Sequence, residues 1–335
     1  MLSHLYNLAL DSDRKSLPLI YKDLSSLRKR NFSTKCYFTN LMYKKSAGNI
    51  HHYVDEKVYL KIAKNYYRPT GKSPLLEEKI VFQEHLKNND IPGTKLLAKL
   101  RNGKLIIGEN AYTGLKEIET QIMELTRVYE SVFIKQTDTS GGSSVFKVNK
   151  GDAFNVESLS MSKDYIIEQT LIQHEALNQV NPNSINTLRV VTFKLGEQVV
   201  IPECMFRMSK GTSYLDNASA GGIFISYDIE SNKLGATGYQ LFKNGARSFT
   251  KHPLSNFVFK DASLPFNEEV KTLVTKAARS YSHIDSIGWD IAYTHNGPVI
   301  LEGNDSPHIV MMQIASHGLL NNTIYREVFK KYLPT

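Results

Sequence analysis

The sequence predicts an α+β fold. Three observations carry that expectation: apolar residues at helical spacing near the start, paired runs of strand-like residues further on, and no strict βαβ alternation. Leu17, Ile20, Tyr21, Leu24 and Leu27 recur three and four residues apart with Lys and Arg between them, so residues 1 to about 75 are expected to be mostly helical. The breaker-rich stretch Tyr66-Tyr67-Arg68-Pro69-Thr70-Gly71-Lys72-Ser73-Pro74 reads as a joint. A helix over about 76–89 stops before the turn Ile91-Pro92-Gly93, and strands at about 94–100 and 104–109 flank Arg101-Asn102-Gly103. A helix at about 114–130 leads to strands at 131–135, 145–148 and 164–169. The second half predicts a hairpin of 187–195 with 198–207, a helix at 267–283, and a final strand pair at 286–294 and 298–304.

Composition is that of an ordinary globular protein, with 41% hydrophobic and 22% charged residues. No apolar run approaches the roughly 20 residues that span a bilayer. The opening MLSHLYNLALDSDRK has no basic start, so no secretory signal is expected. Cys36 and Cys204 stand far apart with no CxxC or Cys/His cluster, which argues against a disulfide framework or a zinc site and favours a cytoplasmic setting. The net charge of +8 is concentrated early: residues 1–104 carry 20 Lys and Arg against nine Asp and Glu. That basic third could attract an anionic partner, or it could be a solvated helical face. No zinc finger or RNA-binding aromatic signature points to nucleic acid.

The strongest local signal is Gly288-Trp289-Asp290-Ile291-Ala292, then His295-Asn296-Gly297, then Val299-Ile300-Leu301-Glu302-Gly303-Asn304. Asn-Gly between two strand-like runs marks a hairpin. With a three-residue loop, Thr294 faces Pro298, Asp290 lies opposite Glu302, and Asn304 shares their face. A two-residue turn would put the two carboxylates on opposite faces. Two carboxylates and an amide oxygen converging on one point suit Mg²⁺, with Mn²⁺ as a substitute, held jointly with substrate phosphates. The alternative is a hairpin with a solvated polar face.

Three further constellations are weaker alone. Lys135 ends a strand before Ser140, Gly141, Gly142 and Ser143, where backbone N–H groups can approach phosphate oxygens; an ordinary hairpin turn is the alternative. The run Tyr165 to Leu171 contains Glu168, Gln169 and Leu171, whose backbone and carboxylate could read an adenine edge, with His174 or Glu175 reaching a ribose. Arg189 and Arg207 stand among apolar and β-branched neighbours, and each needs an anionic partner: a phosphate oxygen or a structural carboxylate.

In order, these pieces resemble the ATP-grasp superfamily, and their wording is most similar to its sugar-transfer-associated group. The closest wording lies in Gln173-His174, Asn181-Pro182-Asn183-Ser184-Ile185-Asn186-Thr187-Leu188-Arg189, Asp216-Asn217 with Gly221-Gly222, and Gly288-Trp289-Asp290. The resemblance covers about 75–320. It implies two α+β lobes sandwiching ATP, at 76–170 and 171–335, behind a helical basic region over 1–75. It also implies that Lys135 and the more variable Lys79 meet phosphates, that Glu168 marks the adenine hinge, and that Glu175 meets the ribose. Arg207 would steady the transferred phosphate, and Asn186, Asp216, Asn217, Gly221 and Gly222 would face substrate. The family's usual chemistry implies a carboxylate–amine ligase working through an acyl phosphate, here joining an acid or amine to a sugar or sugar precursor in polysaccharide biosynthesis. A kinase on the same scaffold and a non-catalytic nucleotide binder are the alternatives. The short lid, and His174 where a small residue is usual, are departures from the pattern.

Overall fold

Helical spacing at the N-terminus becomes three helices, α1 (Leu17–Lys29), α2 (Thr34–Thr39) and α3 (Glu56–Ile62). The computed structural model describes residues 11–63, 73–138, 144–214 and 216–330, so most of the 66–74 joint lies outside the described residues. Helix α1 buries Ile20, Asp23 and Leu27, one face of a 3.6-residue period. Asp23 is tolerated there because Lys15 pairs with it at 2.8 Å and the Tyr37 hydroxyl donates to it at 3.0 Å.

Two more helices, α4 (Pro74–Glu77) and α5 (Lys79–Asn88), precede an antiparallel six-stranded sheet. Its strands are β1 (Leu96–Arg101), β2 (Lys104–Ile107), β3 (Asn110–Tyr112), β4 (Ser131–Gln136), β5 (Val145–Asn149) and β6 (Tyr165–Gln169), in the order β3-β2-β1-β6-β4-β5. Helix α6 (Leu115–Tyr129) packs Ile118 and Ile122 against Val132, Ile134 and Ile167 of this sheet.

After the short α7 (Glu175–Asn178), the chain builds a second sheet. It contains β7 (Thr187–Leu195), β8 (Gln198–Met208), β9 (Ile223–Asp228), β10 (Lys233–Leu234), β11 (Gly238–Tyr239) and β12 (Ser248–Phe249). Helix α8 (Asn267–Ser280) intervenes before β13 (Ser286–Thr294) and β14 (Gly297–Asn304), and the order is β12-β11-β9-β8-β7-β13-β14 with β10 on β9. Helices α9 (Ile309–Ala315) and α10 (Thr323–Phe329) follow. Strands β9 to β12 fall in a stretch for which the sequence gives no expectation; the last three have only two residues each, too few to show a period.

Side-chain alternation gives this sheet two different faces. Leu188, Val190, Phe206, Trp289 and Ile291 bury against α8 and against Leu76, Phe82 and Leu86 of α4 and α5. Val191, Phe193, Met205 and Phe224 bury on the other side, in one core with the N-terminal helices, α9 and α10. Gln313 bolts that core, accepting from the Val54 N–H at 2.6 Å and donating to Asn40 at 2.9 Å and to the Val54 carbonyl at 3.1 Å. The N-terminal helices therefore sit on the sheet face that carries the odd-numbered β7 and β8 residues, Arg189 and Arg207 among them. Among the described residues no helix is long and apolar enough to cross a membrane.

Candidate active site

The β13–β14 hairpin brings Asp290 opposite Glu302, by a different route from the one expected. Thr294 pairs with Gly297 rather than Pro298, so the tip is one residue tighter. Gly297 has φ +109°, a value that favours glycine. Left alone, that register would separate the carboxylates. The pairing shifts between Asp290 and Ile291, leaving Leu301 unpaired, and this bulge restores Asp290 to Glu302 and Gly288 to Asn304.

Asp290 is 6% exposed and is gripped by both predicted arginines. Arg189 Nε and Nη2 donate to its two oxygens, the second at 3.0 Å, and Arg207 Nη2 lies 3.0 Å from Oδ2. Burial alone would raise the Asp290 pKa, but Arg189 and Arg207 outweigh it and the net shift is downward. Glu302 shifts the other way: burial and the neighbouring Asp290 charge raise it, against the pull of Arg189, Lys79 and Arg207. Asp290 therefore carries its charge readily, whereas Glu302 lacks a sufficient cation.

Arg207 is held from below. Its Nε and Nη2 donate to the Thr187 hydroxyl at 3.0 and 2.8 Å, and Asp216 lies 3.7 Å from Nη2 and accepts from that hydroxyl. The Asp216–Gly222 loop needs its glycines for geometric reasons. Gly221 has φ +97°, and a Cβ on Gly222 would meet the Asp216 carbonyl oxygen at 2.4 Å. Asn217 Oδ1 caps the following turn by accepting from Ser219 N–H at 2.9 Å. Thr187 is a member of this network that the sequence reading leaves unassigned, although it stands inside the Asn181–Arg189 motif.

On the six-stranded sheet, Lys135 Nζ lies 2.6 Å from Glu168, which is 2% exposed and also accepts from the Thr94 hydroxyl. Thr94 too is unassigned in the sequence reading, since no motif marks it. Lys79, the first residue of α5, spans the two sheets. It donates to the Thr137 carbonyl at 3.3 Å, and its ammonium feels Glu302 on one side and Lys135, Glu168 and Asp138 on the other. Burial lowers its pKa. The Ile300 N–H donates to the Pro92 carbonyl at 2.9 Å, fastening β14 to the turn that leads from α5 into β1. The Tyr214 hydroxyl donates to the Val145 carbonyl at 3.3 Å on the outermost strand of the six-stranded sheet.

The remaining predicted residues are spread around this centre. Ser140, Gly141, Gly142 and Ser143 lie outside the described residues. The Gln169 backbone N–H donates to the Lys95 carbonyl at 3.0 Å, and Leu171 is half-buried just beyond it. His174 docks on the hairpin tip: its N–H donates to Tyr293 at 2.8 Å, its Nδ1 accepts from Ala176, and its ring lies beside Phe266 and His295. Glu175 is exposed in the first turn of α7. Asn186 is fully buried, and its amide nitrogen donates to Gln173, Leu177 and Asn181. This bolts the 173–186 loop and leaves Oδ1 without a hydrogen-bond partner.

The donor set suits a hard divalent cation. Two carboxylates face each other with one held toward its protonated form, and the Asn304 amide nitrogen is buried without a partner beside them. Exchanging the amide's nitrogen and oxygen would present an oxygen instead. Among the described residues no group of three His, Cys, Asp or Glu is placed to hold a metal.

A profile described as sugar-transfer associated ATP-grasp matches residues 155–326, just over half of the chain. No curated protein sequence matches. Among solved structures, a D-alanyl-alanine synthetase A from Vibrio cholerae is 16% identical with a TM-score of 0.46, covering 77% of this chain and 66% of that one. A carboxyaminoimidazole ribonucleotide synthase from Aspergillus clavatus, complexed with ATP, is 14% identical with a TM-score of 0.45, covering 78% and 52%. A biotin carboxylase from Campylobacter jejuni is 12% identical with a TM-score of 0.46, covering 78% and 48%. The chain thus spans from about half to just under two thirds of the length of these structures. Two antiparallel sheets with helices, preceded by a helical region, form the α+β ATP-grasp fold expected, and the chain belongs to the sugar-transfer associated ATP-grasp family.

Proposed function

We propose that the protein is an ATP- and Mg²⁺-dependent carboxylate–amine ligase that works through an acyl phosphate, acting on a sugar or sugar precursor. The observation that carries this reading is the buried cluster of Arg189, Arg207 and Asp290 with the half-buried Glu302 facing it, linked through Lys79 to Lys135 and Glu168. A carboxylate attacking a phosphoryl group must overcome charge repulsion, and a water-poor cluster of fixed cations offsets it more strongly than solvent does. Lys79 and Lys135 would meet the nucleotide phosphates. The segment from Glu168 to Leu171 would meet the adenine, and His174 with Glu175 the ribose. Asp290, Glu302 and Asn304 would hold Mg²⁺, which when bound supplies Lewis-acid stabilisation of the transferring phosphoryl group. Arg189 and Arg207 would steady the developing charge, Arg207 being held in place by Thr187 and Asp216. The Asp216–Gly222 loop would border the substrate.

The test is ADP formation from ATP–Mg²⁺ with a panel of sugar acids and amino acids, with and without amines. Amine-dependent release of ADP and an amide product supports the ligase. Phosphate transfer to a hydroxyl, with no amide, would replace it by a kinase.

A further inference from the structure

We propose that the solvent face of α1 is a docking surface for an anionic lipid bilayer. One side of this helix is committed to the core through Ile20, Asp23 and Leu27. The opposite side presents Leu17, 67% exposed, and Tyr21, 77% exposed, which are four residues apart and so lie side by side. Arg28 continues the same stripe, and the exposed Lys22 and Lys29 flank it. Asp23, the helix's one acid, does not reach this surface, because it is buried against Lys15 and Tyr37. Among the described residues of 11–63 the fully exposed charged side chains are all Lys or Arg, while Asp11, Asp13 and Glu56 are half-buried. The exposed charge that α1 itself presents is therefore positive.

The apolar pair decides between anionic partners. Tyr21 alone would suit stacking on a base or a sugar ring, but the exposed Leu17 beside it adds nothing to a grip on nucleic acid or an acidic polysaccharide, whereas both side chains enter a headgroup region. A helix that presents Leu and Tyr beside a row of Lys and Arg has the composition of one lying in the headgroup region. A second copy of this chain does not fit the face. Two-fold pairing would bring the Lys22, Arg28 and Lys29 row of one copy against the same row of the other, a like-charge contact. The helix is fastened to the rest of the protein through the core it shares with α9 and α10, so docking would hold the whole eight-stranded sheet at the membrane.

The test is co-sedimentation of the full chain with vesicles of phosphatidylcholine alone and of phosphatidylcholine mixed with phosphatidylglycerol, at low and high salt. Binding is expected only to the anionic vesicles and only at low salt. The triple variant Lys22→Ser, Arg28→Ser, Lys29→Ser should weaken it by on the order of 10²-fold. The double variant Leu17→Ser, Tyr21→Ser should weaken it by about tenfold while leaving retention on heparin unchanged. These side chains are exposed, so the melting temperatures of both variants should match the parent. Failure of the parent to bind anionic vesicles would overturn the proposal. So would binding that both variants retain in full, or retention on heparin with no partition into vesicles.

Discussion

The two sheets hold their buried charges in different ways. On the six-stranded sheet one lysine meets one glutamate, and Lys135 keeps 23% of its side chain exposed. On the eight-stranded sheet two arginines and two aspartates interlock, with every side chain 16% exposed or less. The first arrangement can turn its lysine toward a ligand more readily, because water already reaches the ammonium and Glu168 keeps Thr94 and the nearby Lys79 charge. The second is fixed before any ligand arrives, since moving one member strands the others in a medium of low dielectric. Stability and chemistry should therefore separate along this line.

Replacing Asp290 is the severest way to probe the difference. Asp290→Asn leaves Arg189 and Arg207 without their counter-charge, and breaking a buried pair of this kind costs about 3–5 kcal/mol. Denaturant melts should show a loss of that size, together with loss of turnover. Lys135→Met should cost less than that, because the ammonium is partly solvated and the buried Glu168 keeps the Thr94 hydroxyl and the nearby Lys79 charge. Its effect should fall instead on nucleotide affinity, measured by titration calorimetry. Equal destabilisation by the two substitutions would erase the distinction.

The hairpin shows how far the sequence could be read and where it stopped. Asn296-Gly297 between strand-like runs marks the hairpin, but the facing of Asp290 and Glu302 holds only because a bulge offsets a tip one residue shorter than expected. The loop length was misjudged by one residue because Gly297 serves as the first residue of β14 with a positive φ. The compensating bulge at Leu301 was not legible. Val299, Ile300 and Leu301 are similar in size and polarity, and only the packing of both sheet faces selects which of them goes unpaired. Arg189 and Arg207 were legible as charges needing an anion. That both share Asp290 follows from strand order, with β7 lying between β8 and β13, which local sequence does not encode. Thr187 and Thr94 went unassigned because a hydroxyl that braces a charged side chain has no spacing signature.

A gentler comparison uses a carboxyl away from the site. Glu203, on β8 beside Ser316, has its pKa raised by burial to about 8. A carboxyl with a folded pKa above its unfolded one holds its proton in the native state, so its contribution to stability is full below about pH 4.3 and is lost as pH rises toward 8. Glu203→Gln should remove that slope, its advantage over the parent growing between those limits and staying constant above them, as read from melts across pH. A parallel pH dependence for parent and variant would mean that Glu203 is ionised in the fold.

The central claim is that the facing carboxylates serve a metal and a nucleotide, and Glu302→Gln with ATP, with and without Mg²⁺, tests it most directly. Burial and Asp290 already disfavour the Glu302 charge, so this variant should melt at or above the parent temperature, unlike Asp290→Asn. The parent should be stabilised by ATP–Mg²⁺, by about 2.7 kcal/mol at 100 times the dissociation constant, and less by ATP with a chelator. In the variant the two conditions should converge, with nucleotide binding largely retained and turnover reduced at least about 10²-fold. A parent indifferent to ATP–Mg²⁺, or a well-folded Glu302→Gln protein with the parent's Mg²⁺ response and turnover, would contradict the account.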